Sequence, residues 1–232
     1  MAGINEREEQ AGEPGQKPGQ ISMLNEIRRK MIHLTSLGIP IIYWFVSQKT
    51  ALTLLIPMTA ISVLIEILRR AFPSFELQFR KIFGALLRPH ESGARPEING
   101  ATFVLISACI CVALFPKVIA ITAFAVLIVS DTASALYGRR FGKKRFLKKS
   151  VQGSSAFFVT AMIVVLVVAA LSRADWEFIA VGAVASAVSM VVEALSEGGS
   201  SIDDNLTIPT AFGGVMWGGL ALLGRSDLFH LL

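Results

Sequence analysis

Three acidic side chains lie within or at the end of long apolar segments of the sequence: Asp131, Glu193 and Glu66. An ionised carboxylate in such a segment is costly unless it is paired or binds a cation, and acids in membrane-spanning segments are commonly functional. For Asp131 we therefore favour a metal or proton site over a structural ion pair with a neighbouring helix. Glu193 is interpreted in the same way, or as a helix-end carboxylate that reaches the interface. Glu66 is expected to pair with Arg69 or Arg70, one helical turn later.

A basic loop with three glycines follows Asp131 and reads GRRFGKKRFLKKSVQG from 138 to 153. Small residues let a backbone approach a ligand closely, and lysine and arginine contact phosphate oxygens. The serine of this loop is placed to cap the next helix and to leave its N-terminus open to an anion. The loop, which is not a Walker A sequence, is thus either a phosphate cradle or a basic anchor that only fixes membrane orientation. The candidate phosphate-binding residues are Gly138, Arg139, Arg140, Gly142, Lys143, Lys144, Lys149, Ser150 and Gly153.

A second polar group precedes the last apolar stretch. Asp203, Asp204 and Asn205 are consecutive residues with side-chain oxygens. Three such side chains suit a hard cation such as Mg²⁺. The alternative is an N-cap for the last helix, and the two roles are compatible.

A third group of polar residues lies before the first apolar stretch. Glu26, Arg29, Lys30 and His33 follow i, i+3, i+4, i+7 spacing and so share one face of a helix. This face either rests on lipid headgroups or supplies further phosphate contacts. Asn99, further along the chain, is expected to cap the helix that begins after it.

The composition is that of an integral membrane protein. Of the 232 residues 53% are hydrophobic and only 17% are charged, and the mean hydropathy is +0.60. Residues 1–20 are polar without an apolar period, so we predict a disordered tail followed by a single transmembrane domain at 21–232. We predict an all-α fold, a polytopic helical bundle of about seven transmembrane helices. The apolar stretches lie at roughly 34–47, 51–68, 100–115, 118–137, 154–171, 178–195 and 206–223.

Lysine and arginine concentrate on one side of the predicted bundle. Of the 22 such residues, all but four fall in the N-terminal segment or in the loops at 69–99 and 138–153. With seven spans these segments share one face, which the positive-inside rule makes cytoplasmic. We therefore predict that the N-terminus is inside, the C-terminus is outside and the candidate site faces the cytoplasm. The net charge of +5 adds little by itself, but basic membrane proteins usually interact with anionic lipid headgroups. The basic residues lie in short inter-helix loops without a nucleic-acid-binding module, so we predict the bilayer and not nucleic acid as a partner. No oligomeric state is predicted.

In their order and spacing, these motifs resemble a known family, the polytopic CTP-dependent lipid-alcohol kinases. That family includes dolichol, phytol and farnesol kinases and the CTP-dependent diacylglycerol kinase, and it is similar in turn to phosphatidate cytidylyltransferase. The sequence departs from the relatives at Ser150 and Gln152, where they have threonine and glutamate, and it lacks the long C-terminal signature of the cytidylyltransferases. The resemblance runs from about Glu26 to Trp217. Its motifs are Glu26-x-x-Arg29-Lys30-x-x-His33, Asn99-Gly100-Ala-Thr, Asp131-Thr-Ala-x4-Gly138-Arg-x-x-Gly142-Lys, Lys148-Lys-Ser-x-x-Gly153-Ser, Glu193 and Asp204-Asn-Leu-Thr-Ile-Pro209.

The resemblance implies transfer of the γ-phosphoryl group of CTP to the hydroxyl of a membrane lipid of polyprenol, phytol or diacylglycerol type. It implies Mg²⁺ or another divalent cation as cofactor, held by Asp131 with Glu193 and the 203–205 group, and a triphosphate bound by Lys143 and Lys149. Either Asp131 or Asp204 would accept the hydroxyl proton. One alternative is a cytidylyltransferase that makes a CDP-lipid from CTP. Another is a small cation- or proton-coupled transporter with Asp131 and Glu193 as its relay.

Overall fold

The structure is a computed structural model that describes residues 23–84, 87, 97–196 and 203–231. The predicted tail at 1–20 lies outside these residues. The described chain is predominantly helical, as expected for the all-α class. A hairpin of two short strands, β1 (Arg145–Phe146) and β2 (Lys149–Ser150), is its only sheet among the described residues. The helices are α1 (Met23–Thr35), α2 (Gly38–Phe45), α3 (Gln48–Ala71), α4 (Pro73–Phe83), α5 (Gly100–Leu114), α6 (Lys117–Phe141), α7 (Val151–Ser172), α8 (Trp176–Leu195), α9 (Asp204–Leu222) and a 3₁₀ helix (Ser226–His230).

Four of the described helices, α3, α6, α7 and α8, are long and apolar enough to cross a membrane. Helix α5 is apolar but has 15 residues, and α9 contains Pro209. The first predicted stretch is divided, because α1 ends at Thr35 and α2 begins at Gly38. The fold thus supports a membrane protein with four candidate spans, while the count of seven spans and the inside N-terminus stay predictions.

Helix α6 lies at the centre of the bundle. Its segment 118–128 is almost wholly apolar and is buried on all sides, including at Ile119, Phe124 and Leu127. It packs mainly against α7 and α9, and also against α1, α2 and α5. Asp131 and Ser134 belong to the same buried helix, which therefore fixes both polar side chains in a rigid position.

The bundle has two chemically different ends. At one end lie the start of α1, the hairpin and the start of α9, with most of the basic residues. At the other end the Lys117 Nζ donates to the Trp44 carbonyl oxygen at 2.9 Å, and Arg225 pairs with Asp175, Glu177 and Asp227. The one-sided placement of basic residues that the sequence indicates is therefore present among the described residues.

Helix α4 lies within residues 69–99, a segment that the sequence predicts to be a loop. The helix begins after the extended Phe72, with Pro73 in its first turn, where the missing amide proton of proline costs nothing. It has Glu76 in its first turn and basic residues in its last, which complement the helix dipole. Its apolar residues form no run of membrane length, so the apolar stretches of the sequence do not indicate this helix.

One buried arginine fixes α4 against its neighbours. The Arg69 side chain is fully buried and binds Glu66 at 3.0 Å and Glu76 at 2.8 Å. Its guanidinium also lies over the Phe79 ring, 4.3 Å from the ring centre. Glu66 accepts further hydrogen bonds from the Asn99 amide and the Thr102 hydroxyl, which brings in the start of α5. We call this set the Arg69 junction; it confirms the predicted pairing of Glu66 with Arg69.

Candidate functional site

A buried ion pair joins α1 to the central helix. The Lys30 Nζ donates to Asp131 Oδ2 at 2.5 Å, and the Lys30 and Asp131 side chains are 2% and 8% exposed. His33, one turn after Lys30, places its Nε2 3.8 Å from the same carboxylate oxygen. The shared face of α1 that the sequence predicts therefore contacts Asp131 and is not spread on lipid headgroups at these two positions.

A second lysine lies close to two further carboxylates of the site. Lys149, in β2, lies 3.1 Å from Glu193 Oε1 and 3.7 Å from Asp204 Oδ2, and its charge also attracts Asp131. Burial alone would lower the pKa of Lys149, but the three carboxylates outweigh it and raise the pKa above its ordinary value. The Ser134 hydroxyl donates to Glu193 Oε1 at 2.9 Å.

These contacts bring five of the predicted site residues together from α1, α6, β2, α8 and α9. We call them the lysine–carboxylate cluster: Lys30, Lys149, Asp131, Glu193 and Asp204. The two cations face three carboxylates within a buried region, where charges interact more strongly than in water. Such an arrangement can bind a polyanion together with a cation. The ion pairs among the five side chains are then broken.

The hairpin that presents Lys149 is held in place by the backbone. The Lys148 amide donates to the Ala194 carbonyl oxygen at the end of α8, at 3.0 Å. Leu147, at the turn, adopts a left-handed conformation with φ of 54°, which costs a residue with a side chain about 1–2 kcal/mol. The Lys143 amide donates to the Gln152 side-chain oxygen at 3.0 Å, so Gln152 helps to hold the segment that precedes the hairpin.

The glycines of the basic loop lie where α6 and α7 come closest. A side-chain carbon built on Gly153 would lie 3.1 Å from the Ser134 carbonyl oxygen and 3.2 Å from Gly138 Cα. One on Gly142 would lie 2.9 Å from the Ser150 side chain. These glycines therefore serve close helix packing, and their proposed contact with phosphate stays a prediction.

Three predicted helix caps are present. The Ser150 hydroxyl accepts from the Gly153 amide at 3.1 Å, and the Asn99 side chain accepts from the Ala101 amide at 2.6 Å. The Asp203 side chain accepts from the Asn205 amide at 2.9 Å, which confirms the capping alternative for that acid.

The other predicted residues lie around the cluster. Arg29 pairs with Glu26 at 2.6 Å on α1. Asn205 is buried, and its side chain donates to Asp203. The exposed basic side chains at the end of α6 and before β1 are Arg139, Arg140, Lys143 and Lys144.

A cavity of about 310 Å³ opens beside Asp131. Its polar side is formed by Arg29, His33, Asp131 and Asn205, and its apolar side includes Phe79 and Phe83 of α4. The cavity thus joins the lysine–carboxylate cluster to an apolar wall.

The donor chemistry of the cluster fits a cation that binds together with phosphates. Among the described residues, no group of three or more His, Cys, Asp or Glu side chains is arranged as a ready metal cage. Mg²⁺ needs no such cage, because it usually keeps water and binds one or two carboxylates plus substrate phosphates. Glu193 Oε2 is buried and accepts no hydrogen bond, so it is an oxygen suited to such a cation.

Some residues of the site escape sequence reasoning. Ser134 contacts Glu193 and lies one turn after Asp131, so the helical spacing from Asp131 is the signal that would have found it. Gln152 and the α4 phenylalanines carry no comparable signal, because their roles depend on contacts between distant segments.

Comparisons with known proteins give distant similarities. The chain is 28% identical to CTP-dependent diacylglycerol kinase 1 of Saccharomyces cerevisiae over 151 residues, which is 62% of this chain and 51% of that protein. It therefore spans about half the length of that kinase. It is 26% identical to an uncharacterized protein of Rickettsia prowazekii over 187 residues, which is 81% of this chain and 91% of that protein. No protein-family model and no solved structure matches. The apolar helices and these similarities support a membrane protein with distant similarity to a lipid kinase.

Proposed function

We propose that this protein is a membrane-embedded kinase that transfers the γ-phosphoryl group of CTP to the hydroxyl of a lipid. The observation that carries the proposal is the lysine–carboxylate cluster beside a cavity with one apolar wall. The cluster supplies charges for a nucleotide and the cavity supplies space for a lipid. The distant similarity to a CTP-dependent diacylglycerol kinase supports this pairing, and the use of CTP rests on it.

The reaction has a simple balance of atoms. The lipid hydroxyl oxygen forms a bond to the γ-phosphorus, the bond from that phosphorus to the bridging oxygen breaks, and CDP leaves. The hydroxyl proton passes to a carboxylate, Asp131 or Asp204. Catalysis of this step is mostly positioning and charge stabilisation.

The lysines of the cluster have the chemistry for that stabilisation. Lys149 is paired with two carboxylates and is 30% exposed, so it is placed to turn toward phosphate oxygens that approach from the aqueous end. Lys30 is almost fully buried and holds Asp131 in position. Arg139, Arg140 and Lys143, exposed at the end of α6 and just after it, offer further positive charge.

A divalent cation such as Mg²⁺ would be held by one or two of the carboxylates Asp131, Glu193 and Asp204 together with substrate phosphates, and it would neutralise phosphate charge when bound. The chain's own residues orient these carboxylates: Ser134 donates to Glu193, and Asp203 caps α9 next to Asp204. The proposed membrane orientation puts this end of the bundle in the cytoplasm, where CTP is present.

The test uses the purified protein in detergent with Mg²⁺, CTP labelled on its γ-phosphate, and separate polyprenol, phytol and diacylglycerol acceptors. We expect label in one or more extractable lipid phosphates, and a loss of about 100-fold or more in Asp131→Asn and in Glu193→Gln. The matched control is Asp175→Asn, an exposed acid paired with Arg225 at the other end of the bundle, which should leave the rate unchanged.

Two other results would identify a different function for the protein. Release of pyrophosphate with added phosphatidate would identify a cytidylyltransferase. Absence of transfer to any lipid, with cation flux into vesicles that depends on Asp131, would identify a transporter.

A further inference from the structure

The charges at the end of the bundle opposite the lysine–carboxylate cluster are divided unevenly. The three acids described there, Asp175, Glu177 and Asp227, all pair with Arg225. Lys117, the first residue of α6, makes no ion pair with any described residue, although its side chain is half-buried. A cation that is partly withdrawn from water without a counterion loses hydration, and an anionic ligand can compensate for that loss.

Lys117 is held beside a cavity by two contacts. Its Nζ donates to the Trp44 carbonyl oxygen at 2.9 Å and lies 5.6 Å from the centre of the Tyr43 ring. An ammonium group has three N–H donors, so two of them remain for a ligand. The cavity has a volume of about 580 Å³, and its polar lining includes Lys117, Gln48 and His230. The described residues that line it include no carboxylate.

An apolar groove adjoins this cavity on α3. The groove has a volume of about 480 Å³ and is lined by Leu52, Ile56 and Pro57, with Lys49 at its polar end. Gln48 lines both the groove and the cavity, so the two are neighbours. Helix α3 is long and apolar enough to cross a membrane, and Ile56 is 56% exposed. The groove therefore lies on a surface that would face lipid chains.

The cavity and the groove together have the chemistry of a site for one phospholipid. Trp217, which is 45% exposed, lines the cavity, and tryptophan is enriched where membrane spans meet the headgroups. A soluble anion would use the cavity and leave the groove empty. A zwitterionic headgroup would bring a second positive charge close to Lys117 and Lys49, whereas a headgroup with net negative charge would not.

We propose that this end of the bundle binds an anionic phospholipid from the leaflet that surrounds it. The lipid phosphate accepts hydrogen bonds from Lys117, and one acyl chain lies along Leu52 and Ile56. The bound lipid contacts α3 and α6 and stabilises the folded chain. This site is separate from the lysine–carboxylate cluster, and the proposal does not depend on the proposed kinase function.

The first test measures thermal unfolding of the full chain in a nonionic detergent with added phosphatidylglycerol. At about 100 times its Kd, this lipid should raise Tm by about 5–10 °C, because a ligand that binds only the folded chain stabilises it. Phosphatidylcholine and inorganic phosphate should change Tm little. Lys117→Met should lose most of the rise with phosphatidylglycerol, and Lys117→Arg, which keeps the charge, should retain it.

The matched control for this test is Arg173→Met, which removes an exposed basic side chain at the same end of the bundle. It should keep the full rise. An equal rise in the natural chain and in Lys117→Met would overturn the site and place the lipid on other basic residues. An equal rise with inorganic phosphate would show a site for soluble anions, and an equal rise with phosphatidylcholine would refute the preference for negative charge.

The second test uses only the natural chain, so it holds even if Lys117→Met fails to fold. Phosphatidylglycerol with a diazirine in one acyl chain is photo-crosslinked to the protein, and the modified peptides are identified by mass spectrometry. We expect modification of α3 between Gln48 and Pro57 that excess phosphatidylglycerol prevents and phosphatidylcholine does not. Competable modification only elsewhere, such as around Val159 in the groove between α6 and α7, would refute the proposal. Neither test measures phosphoryl transfer, so its outcome is separate from that of the proposed function.

Discussion

The buried pair of Lys30 and Asp131 gives the most quantitative prediction. It joins residues 101 positions apart in the chain, and neither side chain is more than 8% exposed. Removal of one partner of a buried pair leaves an uncompensated charge and typically costs about 3–5 kcal/mol. In Lys30→Met the remaining carboxylate still has His33 at 3.8 Å, so we expect the lower end of this range.

At about 3 kcal/mol, a chain of this length should lose about 6–12 °C in Tm. Asp131→Asn should lose a similar amount, because it leaves the ammonium group of Lys30 buried. The double variant, which removes both charges, should recover most of the loss, so that the two effects are strongly non-additive. Activity would be lost in all three variants, which is why the measurement is of stability.

The assay follows thermal unfolding with a thiol-reactive dye in detergent. The chain supplies its own probes, because Cys109 and Cys111 are free thiols, the first half-buried and the second buried. Asp175→Asn, at the other end of the bundle, is the control for loss of an exposed acid and should leave Tm within a degree or two. If each single substitution leaves Tm equally unchanged, or if the effects simply add, Lys30 does not pair with Asp131 in the folded protein.

Three further predictions concern the hairpin, the helix crossing and the Arg69 junction. Gly153→Ala should destabilise the protein by about 1–3 kcal/mol because its new carbon meets backbone atoms, whereas Gly214→Ala, with nothing within 4 Å, should be neutral or slightly stabilising in the same dye assay. Because the pKa of Lys149 is raised above 10.5, its charge contributes stability that is fully present below that value and is lost only above it. The Tm difference between the natural chain and Lys149→Met should therefore stay constant between about pH 7 and pH 10, and a difference that shrinks in this range would contradict the raised pKa. Arg69→Met leaves two buried carboxylates without their cation and should cost about 3–5 kcal/mol. Arg80→Met, which removes an exposed arginine of α4, should be close to neutral, and equal effects of the two substitutions would refute the junction.

Local signals in the sequence predict much of the fold. The caps at Ser150, Asn99 and Asp203 follow from side chains that compete well for free amides at helix starts, and each is present. The pairing of Glu66 with Arg69 follows from helical spacing in the same way. These features depend on neighbours within a few residues, so one sequence suffices to predict them.

Features that depend on distant segments are not predicted. The sequence marks Lys30 and Asp131 separately, and an ion pair with a neighbouring helix is the less favoured interpretation of Asp131. No local signal indicates that Lys30 is the residue that faces this carboxylate. Small residues permit close approach, and the sequence alone does not indicate that Gly138 and Gly153 are approached by a neighbouring helix; contact of these glycines with phosphate stays a prediction. The sequence does not predict helix α4, because the helix is amphipathic and short; the Arg69 junction, which helps to hold it, depends on residues of α3 and α5.

The Arg69 junction also has a consequence for biosynthesis. Its members leave the ribosome over more than thirty residues, first Glu66 and Arg69, then Glu76, and last the Asn99 amide and the Thr102 hydroxyl. Until α5 emerges, Glu66 lacks the amide and hydroxyl that satisfy it in the finished protein. Helices α3, α4 and α5 therefore form one unit of assembly, and a nascent chain stalled between α4 and α5 holds a partly satisfied buried acid that quality-control proteases and chaperones can detect.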